Sequence, residues 1–85
     1  MSEEKEQATP RIILTGYQNA DDIVPLFDLY LLDIAYAEVR PDHILVKGEN
    51  RVDFGKQGDF EFVKSCLEAI FLRHKIDGVK IELAR

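Results

Sequence analysis

The residue types that most often carry catalysis are sparse in this 85-residue chain. A nucleophilic cysteine needs surroundings that favour the thiolate, and it needs a base beside it. The single cysteine, Cys66, lies instead within an apolar stripe of helical spacing, between Val63 and Ile70. This position predicts a buried core thiol rather than a nucleophile. Because no second cysteine is present, no disulfide can form within the chain.

The histidines and aspartates do not have the spacing of a metal site. Two imidazoles bind a metal only if they converge together with further ligands, and neither His43 nor His74 shares a motif with an acidic residue. Asp28 and Asp33 lack the alternating acids and the glycine of a calcium loop. We therefore predict no metal ion and no other cofactor, and we do not expect an enzyme, since no acid–base pair or nucleophile stands out.

Residues 54–59, with the sequence FGKQGD, are the segment best suited to bind an anion. Two glycines and a lysine precede a predicted helix, whose amide groups and dipole can hold a phosphate or a carboxylate. The sequence matches neither the P-loop nor the dinucleotide-binding motif, and a strand-to-helix turn that needs its glycines is the alternative interpretation. The candidate anion site consists of Arg51, Gly55, Lys56 and Gly58.

The elements that must position such residues can be predicted from hydrophobic patterning. Three consecutive apolar residues in RIILT, residues 11–15, are typical of a strand buried on both faces. Pro25 fits only the first turn of a helix, and apolar spacing predicts that this helix runs from Ile23 to about Asp33.

The middle of the chain predicts strands. Residues 34–39 alternate between two sides, which favours a strand, with a longer first helix to Val39 as the alternative. ILVKG, residues 44–48, and RVDFG, residues 51–55, flank Glu49 and Asn50 and predict a hairpin. Gly48 and Asn50 can supply the positive φ of its turn.

The last third of the chain predicts a long helix and a final strand. The helix runs from Asp59 to about Lys75, and Gly78 is suited to the position after its end. Residues 79–85 alternate strictly, which is typical of a strand with one solvated side. The apolar stripe of the helix consists of Phe62, Val63, Cys66, Leu67, Ile70 and Phe71.

This element order predicts an α+β fold. Two helices on one face of an antiparallel or mixed sheet, in the order β-α-β-β-α-β with one extra strand allowed, favour a ferredoxin-like split βαβ arrangement. In that arrangement the first strand lies inside the sheet and the last at an edge. We predict one domain over residues 10–85 and a disordered tail over residues 1–9.

Charge and composition argue against several partner classes. Residues 1–42 carry nine acidic and three basic residues, net −6, whereas residues 43–85 carry seven and eight, net +1. Affinity for nucleic acids needs clustered Lys and Arg side chains. The predicted inner strands offer only one aromatic side chain, Phe54, on which a nucleobase could stack. No apolar run reaches the roughly 18–20 residues of a membrane helix. We therefore expect a soluble, cytoplasmic protein with neither a membrane nor a nucleic-acid partner.

The apolar segment LFDLYLLDIAYAEV, residues 26–39, predicts an interaction surface. One face of the first helix and the stripe of the second suffice to cover a four-stranded sheet, so the remaining Leu and Tyr residues are in surplus. Exposed clusters of Leu and Tyr mark interaction sites, although completion of the core is the alternative. We predict a non-catalytic protein-interaction or regulatory module that self-associates or binds a protein partner. Its predicted surface consists of Asp28, Leu29, Tyr30, Leu31, Leu32, Asp33, Tyr36 and Glu38.

Overall fold

The structure, a computed structural model, describes residues 10–84. These residues form an α+β fold in which two helices pack against a four-stranded antiparallel sheet. The predicted disordered tail, residues 1–9, lies outside the described residues. The strands are β1 (Arg11–Thr15), β2 (Ala35–Val39), β3 (Ile44–Gly48) and β4 (Lys80–Ala84), and the helices are α1 (Val24–Tyr30) and α2 (Gln57–Arg73).

The sheet has the strand order β2-β3-β1-β4, and every neighbouring pair is antiparallel. Thus β1 is an inner strand and β4 an edge strand, as their apolar and alternating patterns predict. The extra strand that the sequence allowed is absent from residues 10–84. The register, with Ile12 opposite both Val46 and Leu83, determines which side chains share each face of the sheet.

The core lies between one face of the sheet and both helices. Ile12 and Leu14 of β1 point to this face together with Ile44 and Val46 of β3, and all four are fully buried. The helix residues buried in the same cluster are Leu26, Phe27, Val63, Leu67, Ile70 and Phe71. Both helices therefore cover the same face of the sheet.

The other face of the sheet, here called the open face, is covered by neither helix. Alternation along the strands places Ile13 on this face, where it is only half-buried. The prediction that the first strand is buried on both faces is therefore wrong. The open face consists of Arg11, Ile13, Thr15, Tyr36, Glu38, Leu45, Lys47, Lys80, Glu82 and Ala84.

Helix α1 is shorter than the sequence predicts. It follows a short 3-10 turn and ends at Tyr30 rather than near Asp33. Pro25 occupies its first turn, as predicted, where a missing N–H leaves no hydrogen bond unmade. The strand predicted for residues 34–39 is confirmed as β2, so the alternative of a helix reaching Val39 is wrong.

Helix α2 starts and ends two residues earlier than predicted. Its C-terminus closes with a Schellman motif, in which the Lys75 amide donates to the Leu72 carbonyl at 3.2 Å. The Ile76 amide donates to the Phe71 carbonyl at 2.8 Å. Lys75 takes the positive φ of this motif, 59°. The prediction that Gly78 fills this position is therefore wrong.

The predicted hairpin between residues 44–48 and 51–55 is also wrong. Strand β3 pairs with β2 on one side and with β1 on the other, so both of its edges are occupied. Residues 49–52 instead form a hydrogen-bonded turn in which Asn50 has a φ of 57°. Phe54 then enters the core, where it is fully buried.

Candidate functional site

An apolar groove of about 480 Å³ lies open to solvent between the end of α1 and one side of α2. Its lining side chains are Tyr30, Leu31, Ile34, Phe62, Cys66, Ala69, Ile70 and Arg73. Arg73 is the only charged residue among them. The groove therefore offers aliphatic and aromatic surface together with one phenol and one guanidinium, a combination common in protein interfaces.

The groove exists because α1 is too short to run beside all of α2. Helix α1 has 7 residues and α2 has 17, which corresponds to lengths of roughly 10 and 25 Å. Both ends of α1 lie near the C-terminal end of α2, since Ile23 shares a cleft with Ile76 and Tyr30 contacts His74. No described helix therefore lies beside the N-terminal half of α2, and Phe62 is 55% exposed.

A contact between the two helix ends fixes the side chain of Tyr30 at one end of the groove. The Tyr30 hydroxyl lies 2.8 Å from Nε2 of His74, and the rings meet edge to face with their centroids 5.6 Å apart. The hydroxyl and the imidazole nitrogen can each act as the donor, depending on the tautomer. This contact holds the phenol in place and leaves part of its ring exposed to solvent.

The predicted interaction residues of the first helix divide between surface and core. Leu29 and Leu32 are exposed over about two thirds of their area, at 67% and 66%, and Asp28 and Asp33 are exposed as well. Leu31, however, is only 2% exposed and belongs to the core. The prediction that Leu31 is an exposed residue is therefore wrong: the turn after α1 points it inward, where it belongs to the buried side of the groove.

Tyr36 and Glu38 lie on the open face, on the opposite side of the sheet from the helices. Tyr36 is 41% exposed. Glu38 forms ion pairs with Lys47 at 3.0 Å and with Arg40 at 3.2 Å. The contact with Lys47 and the positive charge of Arg40 lower the pKa of the Glu38 carboxyl below its ordinary value. The predicted surface thus consists of two separate parts rather than one patch.

The open face differs in charge from the rest of the chain. It carries the bases Arg11, Lys47 and Lys80 and the acids Glu38 and Glu82, with Arg40 paired to Glu38 at its border. Bases therefore outnumber acids on this face, although the whole chain has a net charge of −5. The predicted aromatic of an inner strand, Phe54, is buried in the core and provides no surface for base stacking on this face.

Sequence reasoning did not identify the groove-lining residues of α2 as a site. Phe62 and Cys66 belong to a stripe that was assigned entirely to the core, whereas Phe62 is exposed and Cys66 is half-buried against the groove. The available signal was the width of the stripe, since its six apolar residues lie on two adjacent rows. Only four of them, Val63, Leu67, Ile70 and Phe71, are buried.

The loop of the candidate anion site is held together by its own carboxylates. The amide of Gly55 donates to Oδ1 of Asp53 at 2.8 Å, and the amide of Asp53 donates to Oδ2 of Asp59 at 2.9 Å. Gly55, Lys56, Gly58 and Arg51 are exposed. Two carboxylates beside this loop oppose a further anion and occupy part of its donors, so the geometry favours the turn interpretation.

Two other findings concern ligands and membranes. Among residues 10–84, no three His, Cys, Asp or Glu side chains are grouped closely enough to hold a metal ion. Within the same residues, no helix combines the length and the apolar character needed to cross a bilayer.

Comparison with known proteins adds no relative to this picture. No protein-family model, no curated protein sequence and no solved structure matches the chain.

Proposed function

We propose that this chain is a small non-catalytic protein-interaction or regulatory module, which self-associates or binds a protein partner through an apolar surface of α1 and α2. The observation that carries this proposal is the apolar groove, where Tyr30 and Phe62 remain exposed beside a depression open to solvent. Leu29 and Leu32 add exposed apolar area at the end of α1. Contiguous exposed apolar surface of this kind marks interaction sites in monomeric proteins.

The acidic residues around α1 fit the same proposal. Asp28 and Asp33 are exposed next to the apolar residues, which resembles the polar rim that surrounds the apolar centre of an interface. Such a rim favours partners with basic residues at matching positions and contributes more to selectivity than to affinity. A cytoplasmic location remains part of this proposal.

The same proposal includes a ferredoxin-like arrangement of the fold. The element order β-α-β-β-α-β, the inner position of β1 and the edge position of β4 support this arrangement. Its two-layer form, with helices on one face only, leaves the open face and both sheet edges available for contacts.

The experiment that tests the function places a charge in the groove. Phe62→Asp puts a carboxylate on the lining, and its matched control, Leu72→Asp, makes the same change at an 81% exposed leucine of α2 that does not line the groove. We expect the wild-type chain to bind the apolar dye anilinonaphthalene sulfonate in the folded state. Phe62→Asp should abolish most of that binding, while Leu72→Asp should retain it.

Thermal unfolding of both variants provides the folding control, since surface substitutions change stability by about 0.5 kcal/mol or less. The mass of each protein in solution, measured by sedimentation, shows whether it self-associates. If the folded wild-type chain binds no dye and neither variant differs from it in dye binding or in this mass, the groove is not an interaction surface. Leu31 is unsuitable for this test, because a charge at a buried position unfolds the core.

A further inference from the structure

Strand β2 presents unpaired backbone groups along the outer edge of the sheet. The Arg40 amide donates to the His43 carbonyl at 2.9 Å, and the Glu49 amide donates to the Ile34 carbonyl at 2.8 Å. In an antiparallel ladder the residues that bond to the neighbouring strand alternate with residues that do not. With this register, the even-numbered residues of β2 bond to β3. Ala35, Ala37 and Val39 therefore direct their amides and carbonyls away from the sheet.

Two of these three residues have all their outward groups free among the described residues. The Ala35 amide is already used, since it donates to the Leu31 carbonyl at 3.0 Å. Ala37 and Val39 have no such partner, and no described strand lies beyond β2. Unpaired edges of this kind are templates for pairing with another strand.

Exposed apolar side chains flank this edge on both faces of the sheet. Val39 lies on the helix-covered face and is 54% exposed, whereas Tyr36 lies on the open face and is 41% exposed. The strand contains neither a proline nor a lysine, the residues that most often block an exposed edge. A single contact along this edge can therefore cover apolar groups of both faces.

We propose that β2 pairs with β2 of a second copy of this chain, antiparallel and about a two-fold axis at Ala37, and so joins two sheets into one of eight strands. This inference goes beyond the proposed function, because it uses the edge of β2 rather than the groove between α1 and α2. Each copy donates from Ala37 to the carbonyl of the other copy's Ala37 and from Val39 to the carbonyl of the other copy's Ala35. These donations form four hydrogen bonds across the axis.

The choice of a second copy as the occupant follows from self-complementarity. With the axis at Ala37, every outward residue faces an outward residue, as a two-fold interface requires. An axis at Tyr36 forms fewer hydrogen bonds. An axis at Glu38 forms the same number, but it sets the two glutamates directly opposite each other, and such like-charge pairs destabilise a sheet.

The side chains of the open face are compatible with the same register. With the axis at Ala37, Tyr36 of one copy lies opposite Glu38 of the other, so each glutamate faces a neutral side chain. The interface is small, and we expect a weak dimer with fast exchange.

The test measures mass and amide protection together on the full chain. Sedimentation equilibrium from about 1 μM to about 1 mM covers the affinity range of weak interfaces. Hydrogen exchange at the two ends of this range should show that the amides of Ala37 and Val39 become at least tenfold slower as the dimer forms. The amides of Tyr36 and Glu38, which already bond to β3, should not change and serve as controls within the same strand.

Two variants break the edge without touching the groove. Ala37→Pro removes an amide that points away from the sheet, so the monomer keeps its own hydrogen bonds. Val39→Lys places a charge at an exposed position of the edge and provides a second test if proline distorts the strand. We expect both variants to remain folded by thermal unfolding and to be monomers at all concentrations.

The outcomes separate this inference from the proposed function. A dimer that Ala37→Pro and Val39→Lys dissociate, with slowed exchange at Ala37 and Val39, supports pairing through β2. A dimer that survives both variants and dissociates with Phe62→Asp overturns pairing through β2 and keeps the groove as the interface. A monomer at every concentration also overturns it, and dye binding by the groove then decides the proposed function alone.

Discussion

Glu38 is an acidic side chain of the open face that forms two ion pairs. Its carboxyl lies 3.0 Å from the Lys47 ammonium and 3.2 Å from the Arg40 guanidinium. Lys47 stands next to it on the neighbouring strand of the open face, and these contacts lower the pKa of the carboxyl below 4.5, its ordinary value. Ionised Glu38 is therefore favoured in the folded chain relative to the unfolded chain.

This pKa shift predicts a contribution of Glu38 to acid stability. A lowered pKa in the folded state stabilises the fold fully above the unfolded value, near 4.5, and that stability is lost as the pH falls through the lower folded value. Glu38→Gln should therefore be less stable than the wild type at neutral pH and lose less stability on acidification. Urea unfolding at about pH 7 and about pH 3 measures both differences.

The control for this prediction is Asp28→Asn. Asp28 is exposed and forms no ion pair with another described residue, so its replacement should leave the pH dependence of the wild type unchanged. The pKa of Asp42 is also lowered, by its contact with His43, and this acid titrates equally in all three proteins. A Glu38→Gln variant that loses as much stability as the wild type between the two pH values contradicts the prediction.

Neighbouring residues of the same type can differ in burial, and composition does not distinguish them. Leu31 is buried and Leu32 is exposed, although both are leucines in one apolar segment. The sequence predicts correctly that this segment contains more apolar residues than one helix face can bury. It cannot identify Leu31 as the buried one, because that depends on where α1 ends and how the chain turns before β2.

At the scale of elements, the backbone just after the C-terminus of α2 is strained, and a glycine at that position would relieve the strain. Lys75 has a φ of 59° at the position where Schellman motifs most often have glycine. A side chain in this conformation costs roughly 1–2 kcal/mol. The strain is tolerated because Ile76, which follows it, packs against the core beside α2.

Lys75→Gly should therefore stabilise the fold by about 1 kcal/mol, as measured by urea unfolding. Lys75→Ala is the matched control, because it removes the same charge while keeping a Cβ in the strained conformation. We expect the glycine variant to be more stable than the alanine variant by most of that amount. Equal stability of the two variants means that Lys75 is not held in the left-handed conformation in solution.

Elements whose patterns are local could be predicted, whereas those that depend on distant pairing could not. The alternating pattern predicted the ends of β2 to within one residue, and the apolar stripe predicted the ends of α2 to within two residues. The hairpin over residues 44–55 failed because its turn signals are real but its second arm is not a strand. Strand β3 pairs instead with β2, which precedes it in the chain, and with the distant β1, while Phe54 is buried in the core.

At the scale of the whole molecule, the class and element order followed from the sequence but the candidate site did not. The groove arises from the difference in length between two helices and from the position of α1 near one end of α2. Neither property is encoded in a short pattern. The division of charge between the open face and the helix layer likewise requires the register of all four strands, which brings Arg11 and Lys80 to the same face as Lys47.

Two loops approach each other closely, one after β1 and one before β4. Gly16 follows β1 and has a φ of 85°, and a Cβ built on it lies 2.2 Å from the carbonyl oxygen of Gly78, which precedes β4. The obstructing atom belongs to the backbone, so a side-chain rotation cannot relieve the overlap. Any residue other than glycine at position 16 must separate these loops and strain the pairing of β1 with β4.

Gly16→Ala should therefore destabilise the fold by about 2–3 kcal/mol, the sum of an unfavourable φ and a backbone displacement. Gly58→Ala is the matched control, because a Cβ at this position in the first turn of α2 meets no atom within 4 Å. The control should gain up to about 1 kcal/mol, since alanine loses less backbone entropy than glycine in a helix. Urea unfolding of both variants measures the contrast, and a Gly16→Ala variant as stable as the wild type means that the two loops do not touch. If only Gly16→Ala lowers the free energy of unfolding, and amide exchange along β4 becomes faster in this variant, the contact between the two loops stabilises the pairing of β4 with β1.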